Sequence, residues 1–287
     1  MSGFKNFALV GAGNIGGPLA EELLNARSAG TVDKVVVLVR PASASKLEAL
    51  RARGASIIPI ADYSSASEVS KALADIDVVV TSLADPVLHL QIPIAEAAKA
   101  AGVKLFVPTE FGMPSDEVVD SVHVAKVEIN KKIRDVVGLP TALFYTGNFA
   151  DWLWKPYITL DVKSGSVGVG GDGNAQMSFT STIDIGRFLV YVLTTLPPAE
   201  TKNRTFRIEA ERASFNDIFS AYEKKYSVKL QVSYTPIEEL EERLRKDPND
   251  VVSICHLGWA TGKGTVGSPL DNESFPNWNP KAVMYYL

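Results

Sequence analysis

Along the first half of the chain, short runs of apolar residues alternate with stretches whose apolar positions fall three and four apart. Phe7–Val10, Lys34–Val39, Val78–Thr81 and Leu105–Val107 are continuously apolar, as expected of strands covered on both faces. The pattern predicts strands at 7–10, 34–39, 56–59, 78–81, 105–107 and 141–145. Helices are expected through Leu19–Ala26 to about residue 27, at 44–53, shortly after Ser67, at 93–101 and at 121–137. Strand and helix in strict alternation imply right-handed crossovers, hence an α/β chain with a doubly wound parallel sheet carrying helices on both faces.

After Gly147 the alternation breaks down. Trp152, Trp154 and Tyr157 precede a glycine-rich stretch, Gly165–Gly173, expected to form hairpin turns between Val167, Val169 and Met177. A helix from Thr182 to about Leu196, capped by Ser181 or Thr182, and a strand at Thr205–Ile208 would rejoin the sheet. Two more helices should begin at Ser214, with Asp217 completing a capping box, and at Thr235, where Pro236 and Glu238 supply an N1 proline and an acidic first turn. The expected division is a main domain over 1–150, to which the chain returns at about 180–210, and a smaller substrate lobe over 151–287.

Composition narrows the function classes. With 46% hydrophobic residues in 287 the chain can bury a large core. No apolar run reaches the ~18 residues of a membrane span. Met1–Asn6 leads into the first strand without the basic flank and apolar run of a signal peptide, so a cytoplasmic protein with no membrane partner is expected. The single cysteine, Cys255, excludes an internal disulfide and fits a reducing compartment. The sequons at Asn203 and Asn272 are then accidents of composition. A net charge of −4 argues against a nucleic-acid partner, which would want a basic face.

The sharpest motif lies between the first strand and the first helix: Gly11-Ala12-Gly13-Asn14-Ile15-Gly16. A dinucleotide pyrophosphate needs such a turn. Gly11 would permit the tight bend, Gly13 the approach of backbone to phosphate and Gly16 close helix–strand packing, with the phosphates on the helix N-terminus. The second strand ends at Arg40, where an NAD site carries Asp or Glu for the ribose hydroxyl; an arginine suits a 2′-phosphate. Arg40 and Lys46 therefore predict NADP(H), the competing reading being two solvated surface cations.

Ligands of open parallel sheets sit beyond the carboxyl ends of the strands. The residues there are Thr81-Ser82-Leu83, Pro108-Thr109-Glu110-Phe111 and Asn148-Phe149, each expected along the cofactor, though each is also ordinary loop chemistry. On a helical wheel of 121–137, Lys126 falls among Val122, Ala125, Ile129, Ile133, Val136 and Val137. A lysine on an apolar face either snorkels outward or has a task, and desolvation there would make its amine available for proton transfer near neutral pH. Phe149, Trp152 and Trp154 are candidates for an aromatic pocket wall, or for plain core. Gly258–Gly264 lacks the Ser or Thr and the preceding strand of a P-loop, the three histidines lack metal-ligand spacing, and there is no G-x-S-x-G elbow.

Taken together, the Gly11–Gly16 turn, Leu38-Val39-Arg40 with Lys46, Phe106-Val107-Pro108-Thr109-Glu110-Phe111-Gly112, Lys126, Gly138-Leu139-Pro140, Asn148-Phe149 and Asp184-Ile185-Gly186 resemble the NmrA-like, isoflavone reductase-like group of atypical short-chain dehydrogenases, including its phenylcoumaran benzylic ether reductase type. The similarity runs over nearly the whole chain. It implies a Rossmann fold, NADPH, a small phenolic or phenylpropanoid-type substrate and Lys126 as the acid/base residue; it is also compatible with a homodimer and with a non-catalytic NADP-sensing regulator. Two departures stand out. Val122 occupies the place of the tyrosine in the Tyr-x-x-x-Lys of ordinary short-chain dehydrogenases, and the stretch from Lys126 to Gly138 is one residue longer than in the plant reductases.

Overall fold

The computed structural model describes residues 3–117 and 121–287. Five strands, β1 (Asn6–Val10), β2 (Lys34–Val39), β3 (Ser56–Pro59), β4 (Val78–Thr81) and β5 (Leu105–Val107), form a sheet in the order β3-β2-β1-β4-β5, parallel throughout. A parallel bridge from Phe106 to Thr141 brings in β6 (Ala142–Tyr145), and the strand Arg204–Arg207 runs parallel beyond it. The order 3-2-1-4-5-6 is that of the doubly wound Rossmann sheet, with its switch point between β1 and β4. This last strand comes from late in the chain and pairs with β6.

Alternate residues of each strand serve different cores. Phe7, Leu9, Val35, Val37 and Val107 face Leu19 and Leu23 of α1 (Gly16–Ser28) and Phe188, Leu189 and Leu193 of the helix Thr182–Thr195. Ala8, Val10, Val36, Leu38 and Phe106 face Ile94, Ala98, Ile129 and Ile133 on the other side. A third core, built on Phe179, Phe215, Phe219 and Trp259, lies in the chain beyond residue 149. Ser181 caps the helix Thr182–Thr195 through the Asp184 N–H, and the Ser214–Asp217 capping box forms as read from the sequence.

Four local expectations are corrected. The helix at 44–53 is broken into Pro41–Ala44, a 3₁₀ turn Ser45–Leu47 and Glu48–Ala52, because Pro41 starts it earlier and Leu47 leaves helical angles. The glycine-rich stretch is no hairpin: Ser166–Gly170 pairs with Gln231–Thr235, whereas Met177–Thr180 pairs with Glu211–Ala213 and Asn148–Phe149. Both strands take partners from elsewhere in the chain, a choice no local turn signal encodes. Thr235 ends a strand instead of capping a helix; Pro236 takes the N-cap place of Ile237–Lys246. The helix Ser121–Lys132 continues as a π-helical segment, Ile133–Val137, which carries Val136 out to 74% exposure although the 3.6-residue wheel puts it inside. A π turn holds an additional residue, so Val136 turns outward while Ile129 and Ile133 stay in the core.

Candidate active site

Gly11 adopts φ +94°, and a Cβ built there would meet the Ser82 carbonyl oxygen at 2.8 Å. At Gly16 a Cβ would come within 2.4 Å of the Gly11 carbonyl oxygen and the Ser82 hydroxyl. At Gly13 it would meet nothing within 4 Å. The first and third glycines are thus required by the protein's own packing, whereas the second leaves open space over the turn. No side chain caps Ile15, so the first N–H groups of α1 lack a side-chain partner at the same place. A diphosphate fits this arrangement of bare backbone, open space and helix N-terminus.

From Gly11, Ala12 and Gly13 a groove of about 460 Å³ runs between Arg40, Ser43 and Lys46 on one side and Ser82, Leu83, Pro86 and Val87 on the other. Arg40 and Lys46 come to one groove because the broken helix after β2 folds back past the strand end. Asn14 is exposed and Ile15 half-buried where α1 begins. Two lining features escaped the sequence reading. Tyr63 sits on the groove with its hydroxyl pushed up to about 12 by burial, against a smaller downward pull from Arg40. The 3₁₀ turn Asp85–Leu90, which follows β4 and supplies Pro86, Val87 and Leu90, carries no sequence signal beyond Pro86.

The tips of β4 and β5 are locked by one amide. Gln91, 1% exposed, accepts from the Thr81 hydroxyl and from the Thr109 N–H, both at 2.8 Å, and the Thr109 hydroxyl accepts from the Leu83 N–H at 3.1 Å. Thr81 is fully buried and braces the strand ends; Ser82 and Leu83 reach the groove. A buried glutamine at the start of an apolar helix was the available signal for this hub.

Beyond Thr109 the chain turns sharply. The Glu110 N–H donates to the Pro108 carbonyl at 2.9 Å, and Phe111 is held at φ +47° by its N–H bond to Phe144 and by packing on that ring. Such strain in a buried aromatic residue persists only where the surroundings over-determine it. The turn delivers Glu110 beneath the helix Ser121–Lys132. Lys126, its side chain 13% exposed, donates to the Glu110 carbonyl at 3.0 Å, with its Nζ 3.8 Å from Glu110 Oε2. Burial drives the Glu110 carboxyl above the ordinary range, against opposing pulls from Lys126, Ser115, Asn130 and His123. Val122 packs on the second core.

The remaining candidates are held by other contacts. Asn148 is tied by Ser178 and by the Trp259 indole, Phe149 packs on the first core, and Trp154 donates to the Ala150 carbonyl while stacking on Phe179 within the third core. Trp152 is the exposed member of the pair, 37% accessible and edge-on to Tyr157. Among the described residues no group of three or more His, Cys, Asp and Glu is arranged to hold a metal ion, and no helix is long and apolar enough to cross a membrane.

A phenylcoumaran benzylic ether reductase of Ginkgo biloba is 29% identical over 99% of this chain and 98% of its own length. Another, from Pinus taeda, is 30% identical over 80% of each chain. The leucoanthocyanidin reductase of Vitis vinifera, solved as its binary complex with NADPH, superimposes with a TM-score of 0.84 at 23% identity, covering 98% of this chain and 97% of that one. The model of the NmrA-like family matches residues 5–275, and the chain belongs to that family.

Proposed function

We propose that this protein is an NADPH-dependent reductase of small aromatic substrates in which Lys126 handles the proton. The carrying observation is the groove with open space over Gly13 and Arg40 and Lys46 on its wall, from which a chain of contacts leads to a nearly buried lysine: the Leu83 N–H bonds Thr109, and the carbonyl of the next residue, Glu110, holds Lys126. Relatives named for benzylic ether reduction and a neighbour solved with NADPH support the same reading. When bound, NADPH supplies the hydride.

The residues of the chain do the rest. Gly11–Gly16 and the N-terminus of α1 hold the diphosphate, and Arg40 and Lys46 clamp the 2′-phosphate by charge-assisted hydrogen bonds. Ser82, Leu83 and Thr109 keep the strand tips in place beside the reacting ring. Lys126 Nζ takes the proton of a phenol so that a benzylic oxygen departs, or gives one to a carbonyl oxygen. Trp152 is proposed as an aromatic contact for the substrate.

The test is NADPH consumption across a panel of phenolic benzylic ethers, enones and ketones. Turnover on at least one class, lost in Lys126→Ala with NADPH binding retained, is the expected result. NADPH binding with no consumption on any class would overturn catalysis and favour a coenzyme sensor.

A further inference from the structure

We propose that Glu110 passes protons to and from Lys126, and that Ser115, Tyr145 and Asp116 connect Glu110 to solvent, forming a relay that resets the lysine after each turnover. The inference rests on the reductase reading above. Glu110 is the positioning and proton-holding partner; Lys126 remains the residue that meets the substrate.

The Glu110 carboxyl is completely covered, and its two oxygens differ. Oε1 accepts from Ser115 Oγ at 2.9 Å and from Asn130 Nδ2 at 2.6 Å. Oε2 has no hydrogen-bond partner and lies 3.8 Å from Lys126 Nζ. A buried carboxyl oxygen without a hydrogen bond is costly and asks for a reason. Here that oxygen faces the amine which must gain and lose a proton. From Ser115 the chain of groups continues outward: Ser115 Oγ is 3.4 Å from the Tyr145 hydroxyl, which donates to Asp116 Oδ1 at 3.4 Å, and Asp116 is exposed.

Charges around the relay suit the task. Lys126 and His123 face Glu110 from the helix, and Asp116 faces Tyr145 from the turn. Arg207 lies 5.0 Å above the Tyr145 ring from the neighbouring strand and pairs with Glu117 at 3.6 Å. Burial raises the Glu110 carboxyl above its ordinary range and pushes the Tyr145 hydroxyl up to about 12, so that tyrosine passes protons without staying ionised.

The proton balance closes. Reduction by NADPH takes up one solvent proton per turnover. When the N–H bond of Lys126 breaks in favour of a substrate oxygen, the Oε2–H bond of Glu110 breaks and a new N–H bond forms. Ser115 then gives its hydroxyl proton to Oε1, the Tyr145 hydroxyl turns from Asp116 to Ser115 and replaces it, and Asp116, after taking a proton from solvent water, replaces that one. Each group regains its starting proton count; the hydroxyls turn back, and a half-turn of the Glu110 carboxyl about Cγ–Cδ brings its new O–H round to face Lys126.

Two measurements test this. In the coenzyme-free protein, infrared pH titration should show a protonated-carboxyl band that Glu110→Gln removes and that persists to higher pH in Lys126→Met. With coenzyme and substrate, Tyr145→Phe should lower kcat about tenfold, a fraction of the ~10²–10⁴ that acid–base catalysis supplies, while KM and NADPH affinity hold and added imidazole restores the rate. Ser115→Ala should behave alike. A carboxyl band indifferent to Lys126→Met, or a Tyr145→Phe enzyme with wild-type kcat and pH profile, overturns the relay. Absence of turnover in the wild type overturns the reductase reading instead, and the infrared titration still decides the Glu110–Lys126 coupling.

Discussion

Two alanine substitutions, three residues apart, should fail for opposite reasons. In Gly16→Ala the new methyl would sit 2.4 Å from both the Gly11 carbonyl oxygen and Ser82 Oγ, about 1 Å inside ordinary contact. Ser82 can rotate, but only by giving up its bonds to the carbonyls of Val10 at 3.3 Å and Gly11 at 3.0 Å, a loss of about 1 kcal/mol. The Gly11 carbonyl cannot follow, because the Gly11 N–H is bound to the Leu38 carbonyl at 3.0 Å in a turn only glycine adopts easily. Overpacking adds about 1–3 kcal/mol, and the helix-propensity gain of alanine returns at most about 1. The net of about 1–3 kcal/mol, at about 2–4 °C per kcal/mol, lowers Tm by about 2–12 °C. In Gly13→Ala the methyl meets no protein atom within 4 Å, so stability should stay within about 0.5 kcal/mol of wild type and Tm within about 2 °C. That methyl fills the space proposed for the diphosphate, and NADPH affinity should fall at least about tenfold, ~1.4 kcal/mol. Thermal melting and NADPH fluorescence titration of both variants separate the two effects. A Gly13→Ala protein with wild-type affinity, or a Gly16→Ala protein with wild-type Tm, would refute this account of the turn.

Other substitutions probe the rest of the site. Arg40→Ala should weaken NADPH by about 10- to 100-fold, the ~1.5–3 kcal/mol of a charge-assisted bond, and leave NADH binding unchanged in parallel titrations. Lys126→Ala should lose about 3–5 kcal/mol of transition-state stabilisation in kcat/KM at unaltered NADPH affinity. His256, buried with Nε2 against the Ile158 carbonyl at 3.2 Å, is held below its ordinary value of 6.5 chiefly by burial. Its folded pKa is depressed, so its contribution to stability is complete above pH 6.5 and is lost as pH falls through the folded value. Melting curves from pH 8 to 5 should therefore fall on the acid side in wild type and flatten in His256→Asn, an unchanged slope counting against the assignment.

Much of the amino-terminal half was legible in the sequence because its signals are local. A both-faces-covered strand must be continuously apolar, so β1 to β5 could be read from runs such as Val35–Val39 within a residue or two. The glycine turn carries its own geometry in its spacing. Lys126 stood out because one cation among apolar positions has few explanations. Tertiary structure decided what sequence distance conceals. The partners of Ser166–Gly170 and Met177–Thr180 lie up to some tens of residues away, and only packing chooses among equivalent strand edges. Trp154 looked like Trp152 on paper, yet one ring is half-buried and stacked on Phe179 while the other meets solvent. Val136 went outward because a π turn changes the period on which every wheel depends. The environment of Glu110 was likewise invisible: a carboxylate in a loop reads as solvated until the fold sets Phe111 at positive φ and closes a helix over it. The chain's residue order sets which elements can form; desolvation and strand pairing across long separations set which of their side chains become chemically unusual.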